Sequence, residues 1–167
     1  MSDLRDDVQA CSRRVLKRPL WGHQLEAARS GRFVTVIAAA RRTGKTVLAE
    51  HLAMCTAFAH GGSKVIVLSA TQDAARRLTE SIGDTLNRSR LTRAAVVDSF
   101  STRVRLANSS EIISLPASQR QVRGYGAGVR LVILDEAQRR FRPKENAPLG
   151  AGRSQVLQGG EICVLSV

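Results

Sequence analysis

The stretch from Phe33 to Thr46 limits most strongly what this chain can fold into. It reads F-V-T-V-I-A-A-A-R-R-T-G-K-T, an apolar and β-branched run followed by small residues, two arginines and Gly44-Lys45-Thr46. This order predicts a buried strand, a tight loop and the start of a helix, which is the layout of a phosphate-binding loop. Backbone N–H groups at such a helix N-terminus bind anions because they carry the positive end of the helix dipole.

The loop predicts an ATP site with Mg²⁺. Lys45 would reach the terminal phosphates, and the Thr46 hydroxyl would help to hold the metal ion. One position departs from the usual motif, because Ala39 stands where a first glycine is common. The residues expected around the phosphates are Ala39, Ala40, Arg41, Arg42, Thr43, Gly44, Lys45 and Thr46.

A second apolar stretch, V-R-L-V-I-L at residues 129–134, ends in two acids, Asp135 and Glu136. Asp135 would orient the hydrated metal ion, and Glu136 would polarise the water that attacks the γ-phosphate. The alternative is that the two acids only cap the next helix. Ligands of parallel α/β sheets bind outside the carboxyl ends of strands, where the phosphate loop also lies, and this favours the catalytic interpretation.

Hydrophobic patterning predicts an α/β fold. The helix after Lys45 would end at Gly61-Gly62, a buried strand would follow at 64–70, and an amphipathic helix would open at Thr71 and run to about Asn87. Near-continuous apolar strands that alternate with helices predict a parallel sheet covered on both faces. Short β-type pieces between Thr92 and Pro116 include a hairpin turn at residues 108–110.

The N-terminal part precedes the phosphate loop. A helix is predicted over residues 3–17 and ends before Pro19, and a short second helix leads to the first strand. Trp21 and Gln24 stand where an aromatic ring and an amide would cover and read an adenine base. The alternative is a core tryptophan and a surface glutamine.

Composition narrows the class of protein. The 167 residues fit one domain, and no apolar run is long enough to span a membrane. The acidic, polar N-terminus predicts no secretory signal. A net charge of +12, carried mostly by arginine, indicates a polyanionic partner such as nucleic acid, although an arginine-rich composition with only a solvated surface is the alternative.

Cysteine and histidine predict no metal centre. The three cysteines are widely spaced and odd in number, so they fit neither a disulfide framework nor a zinc cluster, and we expect small core residues in a reducing cytosol. His51 and His60 do not share a helix face, which argues against a metal site.

Four segments, in order, resemble the ATPase domain of tailed-phage terminase large subunits, the motors that pump DNA into procapsids. They are W-G-H-Q, A-A-R-R-T-G-K-T, L-S-A-T-Q, and I-I-S-L-P-A-S followed by V-R-G-Y-G-A-G-V-R-L-V-I-L-D-E-A. The likeness covers about residues 18–138. It implies a RecA-like P-loop NTPase, a truncated three-layer α/β/α domain with a mainly parallel sheet.

The resemblance also implies roles and partners. Arg41 matches the loop arginine that stabilises the γ-phosphate, with Arg42 as a possible substitute, and Gln24 matches the adenine-side glutamine. Arg123 and Tyr125 would touch DNA or move with it. The implied partners are double-stranded DNA, the portal protein, the small terminase subunit and further copies of the chain in a ring, in the bacterial host cytoplasm and without a membrane.

The likeness fades after residue 138. Prolines and glycines make residues 139–167 atypical, although 161–167 fit the next strand of the family. No cluster of acids suits a two-metal nuclease, so we expect one partial ATPase domain over residues 1–167 without nuclease activity. Two alternatives stay open: the first lobe of a DEAD-type helicase, and a non-catalytic DNA-binding fragment.

Overall fold

The computed structural model describes residues 8–28, 34–38, 40, 42–116, 125, 128–135 and 161–166, with the backbone alone at Val34 and in 161–166. Within these residues five helices and seven strands follow one another along the chain. The helices are α1 (Val8–Ala10, continued by a π-helical turn at Cys11–Val15), α2 (Gly22–Ala28), α3 (Lys45–Ala59), α4 (Gln72–Asn87) and α5 (Arg90–Ala94). The strands are β1 (Val34–Ala38), β2 (Lys64–Ser69), β3 (Val96–Phe100), β4 (Arg103–Leu106), β5 (Glu111–Pro116), β6 (Val129–Leu134) and β7 (Glu161–Ser166).

The seven strands form one sheet in the order β1-β7-β6-β2-β5-β4-β3. Neighbours from β1 to β5 are parallel, whereas β4 and β3 are antiparallel. This confirms the predicted mainly parallel sheet. Strand β7 lies between β1 and β6, so the strand before the phosphate loop and the strand before Asp135 are not direct neighbours.

The central strands are buried on both faces, as predicted, but the buried strand predicted before the phosphate loop is wrong. Strand β1 lies at the end of the sheet, where Val36 is 65% exposed and no residue from 35 to 38 is buried. Val65 and Val67 pack with the apolar sides of α3 and α4, which supply Met54 and Ile82 among others. The alternate residues of the same strands form a second cluster on the opposite face, where Tyr125 and Leu134 are partly buried against it. That cluster consists of Ile66, Leu68, Ile113, Leu115, Val129 and Val132.

Local sequence signals set several element ends. Thr71 caps α4 by accepting a hydrogen bond from the backbone N–H of Ala74 at 3.1 Å, and α4 ends at Asn87 as predicted. The predicted hairpin turn also forms. Ser109 has a φ of 66°, and the Ser110 N–H donates to the side-chain oxygen Oδ1 of Asn108 at 3.1 Å. No described helix has the length and apolar character that a bilayer crossing requires.

The cysteine expectation is wrong in one respect. Cys11 and Cys55 are buried, as expected of core residues, but they form a disulfide with a Cα–Cα distance of 5.9 Å. The bond joins the π-helical turn at Cys11–Val15 to α3 across 44 residues of sequence. Sequence spacing did not reveal it because packing of the N-terminal segment onto α3 brings the two thiols together. Among the described residues, no three or more His, Cys, Asp or Glu side chains lie together as a group that could hold a metal ion.

The disulfide closes a long loop, so we expect it to stabilise the fold mainly by restricting the unfolded chain. Reduction should lower the free energy of unfolding by about 2–4 kcal/mol. Urea unfolding with and without a thiol reductant measures the change. Cys11→Ser is the matched control, since its stability should not respond to reductant. An equal unfolding midpoint for the parent protein in both conditions would contradict the assignment.

Candidate functional site

The described residues of the loop between β1 and α3 include two with a left-handed backbone. Gly44 precedes the first residue of α3 in the left-handed region, at φ 79° and ψ 29°, and Arg42 also has a positive φ of 65°. The Gly44 carbonyl then accepts from Leu48 N–H at 3.0 Å, which begins the helix. Turns of this kind expose successive N–H groups on a concave side, and such concavities bind anions.

Two side chains of the loop converge on one carbonyl oxygen. Lys45 Nζ donates to the Ala40 carbonyl at 2.7 Å, and Thr43 Oγ1 donates to the same atom at 2.8 Å. The lysine ammonium is therefore held across the loop rather than extended into solvent. A phosphate oxygen in the loop is a stronger acceptor than a neutral carbonyl, because its hydrogen bond to an ammonium is charge-assisted on both sides.

The N-terminal segment supports this loop from outside. Gln24 is only 5% exposed, and its amide donates from Nε2 to the Gly44 carbonyl at 3.0 Å while Oε1 accepts from Trp21 N–H at 2.9 Å. His23 Nε2 lies 3.1 Å from the Thr43 carbonyl oxygen. Trp21 is 64% exposed, so the alternative of a core tryptophan and a surface glutamine is contradicted on both counts. Contact with adenine stays a prediction.

Thr46 and Asp135 meet although 89 residues separate them in sequence. Thr46, in the first turn of α3, donates a hydrogen bond from Oγ1 to Asp135 Oδ2 at 3.3 Å. Asp135 N–H in turn donates to the Leu68 carbonyl at 2.8 Å, which fixes the residue beside the end of β2. A hydroxyl and a carboxylate at this separation are hard oxygen donors of the kind that Mg²⁺ prefers. The described pair therefore fits the expected ion.

A cavity of about 320 Å³ opens beside this pair. Sequence reasoning missed three of its polar members, Glu50, Ser69 and Arg77. The available signal was helical spacing, since Glu50 follows Thr46 by one turn of α3 and shares its face. The cavity is lined by Thr46, Glu50, Ser69, Ala70, Ala74, Arg77, Leu78 and Asp135.

The carboxyl group of Glu50 is buried, and its neighbours offset only part of the free-energy cost of removing its charge from water. The residue is 3% exposed, and its Oε2 lies 3.5 Å from Nη1 of Arg18. Desolvation raises the pKa of Glu50 above its ordinary value, against smaller opposing effects of Ser81, Arg18 and His51, while the Asp135 charge raises it further. His51 ties the same region to the N-terminal segment, with ring nitrogens 2.7 Å and 2.9 Å from the carbonyl oxygens of Val47 and Arg18.

Several predicted residues lie outside the described part of the chain, namely Ala39, Arg41, Arg123 and Glu136. The Arg42 side chain is exposed. Tyr125 is half-buried, and its carbonyl oxygen accepts from Lys64 Nζ at 3.0 Å. The roles assigned to these residues remain predictions.

Comparison with known families identifies the type of domain. A sequence-family profile described as an AAA domain matches residues 24–163, which is most of the chain and includes both the loop and Asp135. The chain belongs to this AAA-domain family. No curated protein matches the sequence significantly.

The AAA-type domain has the fold of phage terminase ATPases. The large terminase of bacteriophage HK97 superposes with a TM-score of 0.73 at 18% identity, over 97% of this chain and 37% of that protein. The ATPase domain of the Thermus phage P74-26 large terminase gives 0.67 at 21% identity, over 92% of this chain and 67% of that domain. A variant of that domain with an arginine replaced by alanine gives 0.66. The resemblance expected from sequence is confirmed for the fold, a P-loop α/β domain.

A side chain at Gly44 should destabilise the fold. A Cβ there would lie 2.5 Å from Gln24 Nε2, and the positive φ is unfavourable for any L-residue. Gly62 is the matched control, because its φ of +71° is similar and nothing lies within 4 Å of its would-be Cβ. We expect Gly62→Ala to cost about 1–2 kcal/mol of unfolding free energy. Gly44→Ala should cost more, because Gln24 must also move. Equal losses in urea unfolding would show that Gln24 does not press on the loop.

The raised pKa of Glu50 predicts a pH-dependent stability. The folded state binds the proton more tightly than the unfolded state, so stability is greatest below the ordinary value of 4.5 and falls as the pH rises through the raised pKa. Glu50→Gln lacks this loss. It should therefore be more stable than the parent protein at pH 7 and similar to it near pH 4. Unfolding free energies measured across this range test the sign, and a destabilised variant at pH 7 would refute it.

Proposed function

We propose that the chain is the ATP-binding and ATP-hydrolysing motor domain of a terminase large subunit, in partial form over residues 1–167. The observation that carries the proposal is the contact of Thr46 with Asp135 at 3.3 Å, beside a phosphate-type loop, in a domain with the terminase ATPase fold. An exposed loop, a metal-type oxygen pair and a cavity beside them are together what hydrolysis of a nucleoside triphosphate requires.

In the proposed reaction the loop N–H groups and Lys45 bind the β- and γ-phosphates. Lys45 would exchange its bond to the Ala40 carbonyl for a phosphate oxygen, and the release of that carbonyl couples loop shape to nucleotide binding. Thr46 and Asp135 would hold Mg²⁺, which would neutralise charge at the phosphates. Glu136 polarises the attacking water, and Arg41, with Arg42 as the substitute, offsets charge on the γ-phosphate.

Gln24 has two roles in this proposal. Its amide already supports the loop through Gly44, and its position before the loop is that of an adenine-side glutamine in terminases. Exposed Trp21, which meets the His23 ring edge-on at a centroid distance of 5.7 Å, offers an aromatic surface nearby. Nucleotide contact at this end would therefore be transmitted to the loop backbone through one side chain.

The proposed partner of the motor is double-stranded DNA. The net charge of +12 and exposed arginines on several helices support attraction to phosphates. Some arginines are engaged locally: Arg103 with the Phe100 ring, Arg105 with Glu111 and Asp98, and Arg18 with Glu50. By analogy with terminases, the portal protein, the small subunit and ring assembly in the host cytoplasm are the further expected partners and setting.

ATP binding tests the proposal directly. Lys45→Ala should abolish Mg²⁺-dependent ATP binding measured by equilibrium titration, because it removes the charge that meets the terminal phosphates. Lys64→Ala is the matched control, since Lys64 Nζ contacts the Tyr125 carbonyl on another part of the sheet. Equal ATP affinity of Lys45→Ala and the parent protein would rule out this site.

A second variant separates binding from hydrolysis. Glu136→Gln should bind ATP with parental affinity but release phosphate at least about 100-fold more slowly, as expected when a general base is lost. If the parent protein binds no nucleotide but binds DNA with an affinity that falls as salt rises, the non-catalytic DNA-binding alternative is supported instead.

A further inference from the structure

Besides the exposed Arg77, the cavity beside Thr46 and Asp135 contains two polar groups that the proposed reaction does not use. They are the carboxyl group of Glu50 and the hydroxyl group of Ser69. Both belong to residues that are almost completely buried, with 3% and 2% exposure. Buried polar atoms in folded proteins nearly always have hydrogen-bond partners, so these two groups call for a physical explanation.

Ser69 is the last residue of β2, at the edge of the sheet where Asp135 follows β6. Its Oγ has no hydrogen-bond partner in the described part of the protein. A serine hydroxyl can both donate and accept. Its position in the cavity lining gives it access to water or a ligand in the cavity.

Glu50, on α3, also has a buried oxygen without a hydrogen-bond partner in the described part of the protein. This atom, Oε2, accepts no hydrogen bond from the described residues, although Arg18 Nη1 lies 3.5 Å from it and Ser81 forms a hydrogen bond with the carboxyl group. Glu50 and Asp135 line the same cavity, and the charge on Asp135 helps to raise the pKa of Glu50. A cation near both carboxyl groups would favour the ionised form of each.

The metal that fits Thr46 and Asp135 explains both groups. Mg²⁺ in nucleotide sites usually keeps several water ligands, and these waters donate hydrogen bonds to outer acceptors. We propose that Glu50 and Ser69 are positioning residues that accept hydrogen bonds from the water ligands of the cation held by Thr46 and Asp135. This inference rests on the proposed function. It adds to the metal site two residues that contact the ion only through its water ligands.

A purely structural role is the competing explanation. In that case Glu50 would only anchor Arg18, and with it the N-terminal segment that His51 and the disulfide also attach to α3. Ser69 would then only bind an isolated water. Arg18→Gln tests this explanation, because it removes the ion pair and leaves the carboxyl group of Glu50 in the cavity.

The test measures metal-dependent nucleotide binding without any turnover. The affinity for a fluorescent ATP analogue is measured with excess Mg²⁺ and with EDTA, and the ratio of the two gives the metal contribution. Glu50→Gln should reduce this ratio about 10-fold or more, the effect of losing an outer-sphere partner. Ser69→Ala should reduce it about 3- to 10-fold, as expected for one neutral hydrogen bond.

Ser114→Ala and Arg18→Gln are the two controls. Ser114 is also buried with an unpartnered Oγ, but it belongs to β5 and does not line the cavity, so Ser114→Ala should keep the parental ratio within about twofold. Arg18→Gln should keep the ratio as well. If Glu50→Gln fails to fold, Ser69→Ala against Ser114→Ala decides the question alone.

The outcomes distinguish failure of the inference from failure of the proposed function. Parental ratios in Glu50→Gln and Ser69→Ala would overturn the inference while leaving the ATP site intact. Equal reductions in all four variants would assign Glu50 and Ser69 a structural role and also overturn it. A parent protein whose ATP affinity does not depend on Mg²⁺ would overturn the proposed function itself, and the inference with it.

Discussion

The site depends on the parallel pairing of β1, β7 and β6, because this pairing brings the ends of distant strands to one edge of the sheet. It places the first turn of α3 beside Asp135 and allows the 3.3 Å contact between Thr46 and that carboxylate. Parallel strands require long crossover connections, so the two halves of such a site are necessarily far apart in sequence. A change in the register of β6 would separate the hydroxyl and carboxyl oxygens even if the phosphate loop kept its shape.

Two polar groups near this contact destabilise the folded protein. Burial raises the pKa of Glu50, so the ionised form destabilises the fold near neutral pH, and Ser69 Oγ lies buried without a partner among the described residues. An apolar residue at either position would pack without this cost. Groups that destabilise a fold are commonly found at functional sites, where preorganised polarity is needed for binding or chemistry. The location of both groups beside the Thr46–Asp135 pair agrees with that pattern.

The N-terminal segment is attached to the loop and its helix by several unrelated interactions. Gln24 bonds the Gly44 carbonyl, His51 reaches the Arg18 carbonyl, and a disulfide joins Cys11 to Cys55. Each interaction restricts either the loop or α3, and none requires a ligand. The loop is thus held by residues that precede it in sequence, which limits the conformational entropy that nucleotide binding would remove.

The sequence alone determined the features that depend on local order. The strand–loop–helix at 33–46, the Thr71 cap, the hairpin turn at 108–110 and the buried strand before Asp135 were all predictable, because periodicity, capping and turn chemistry act between near neighbours in the chain. Tertiary structure decided the rest. The Cys11–Cys55 bond, the burial of Gln24 against Gly44 and the grouping of Glu50 and Ser69 with Asp135 arise from contacts between distant segments. Local pattern carries no information on such contacts, because they are set by how the helices pack on the sheet.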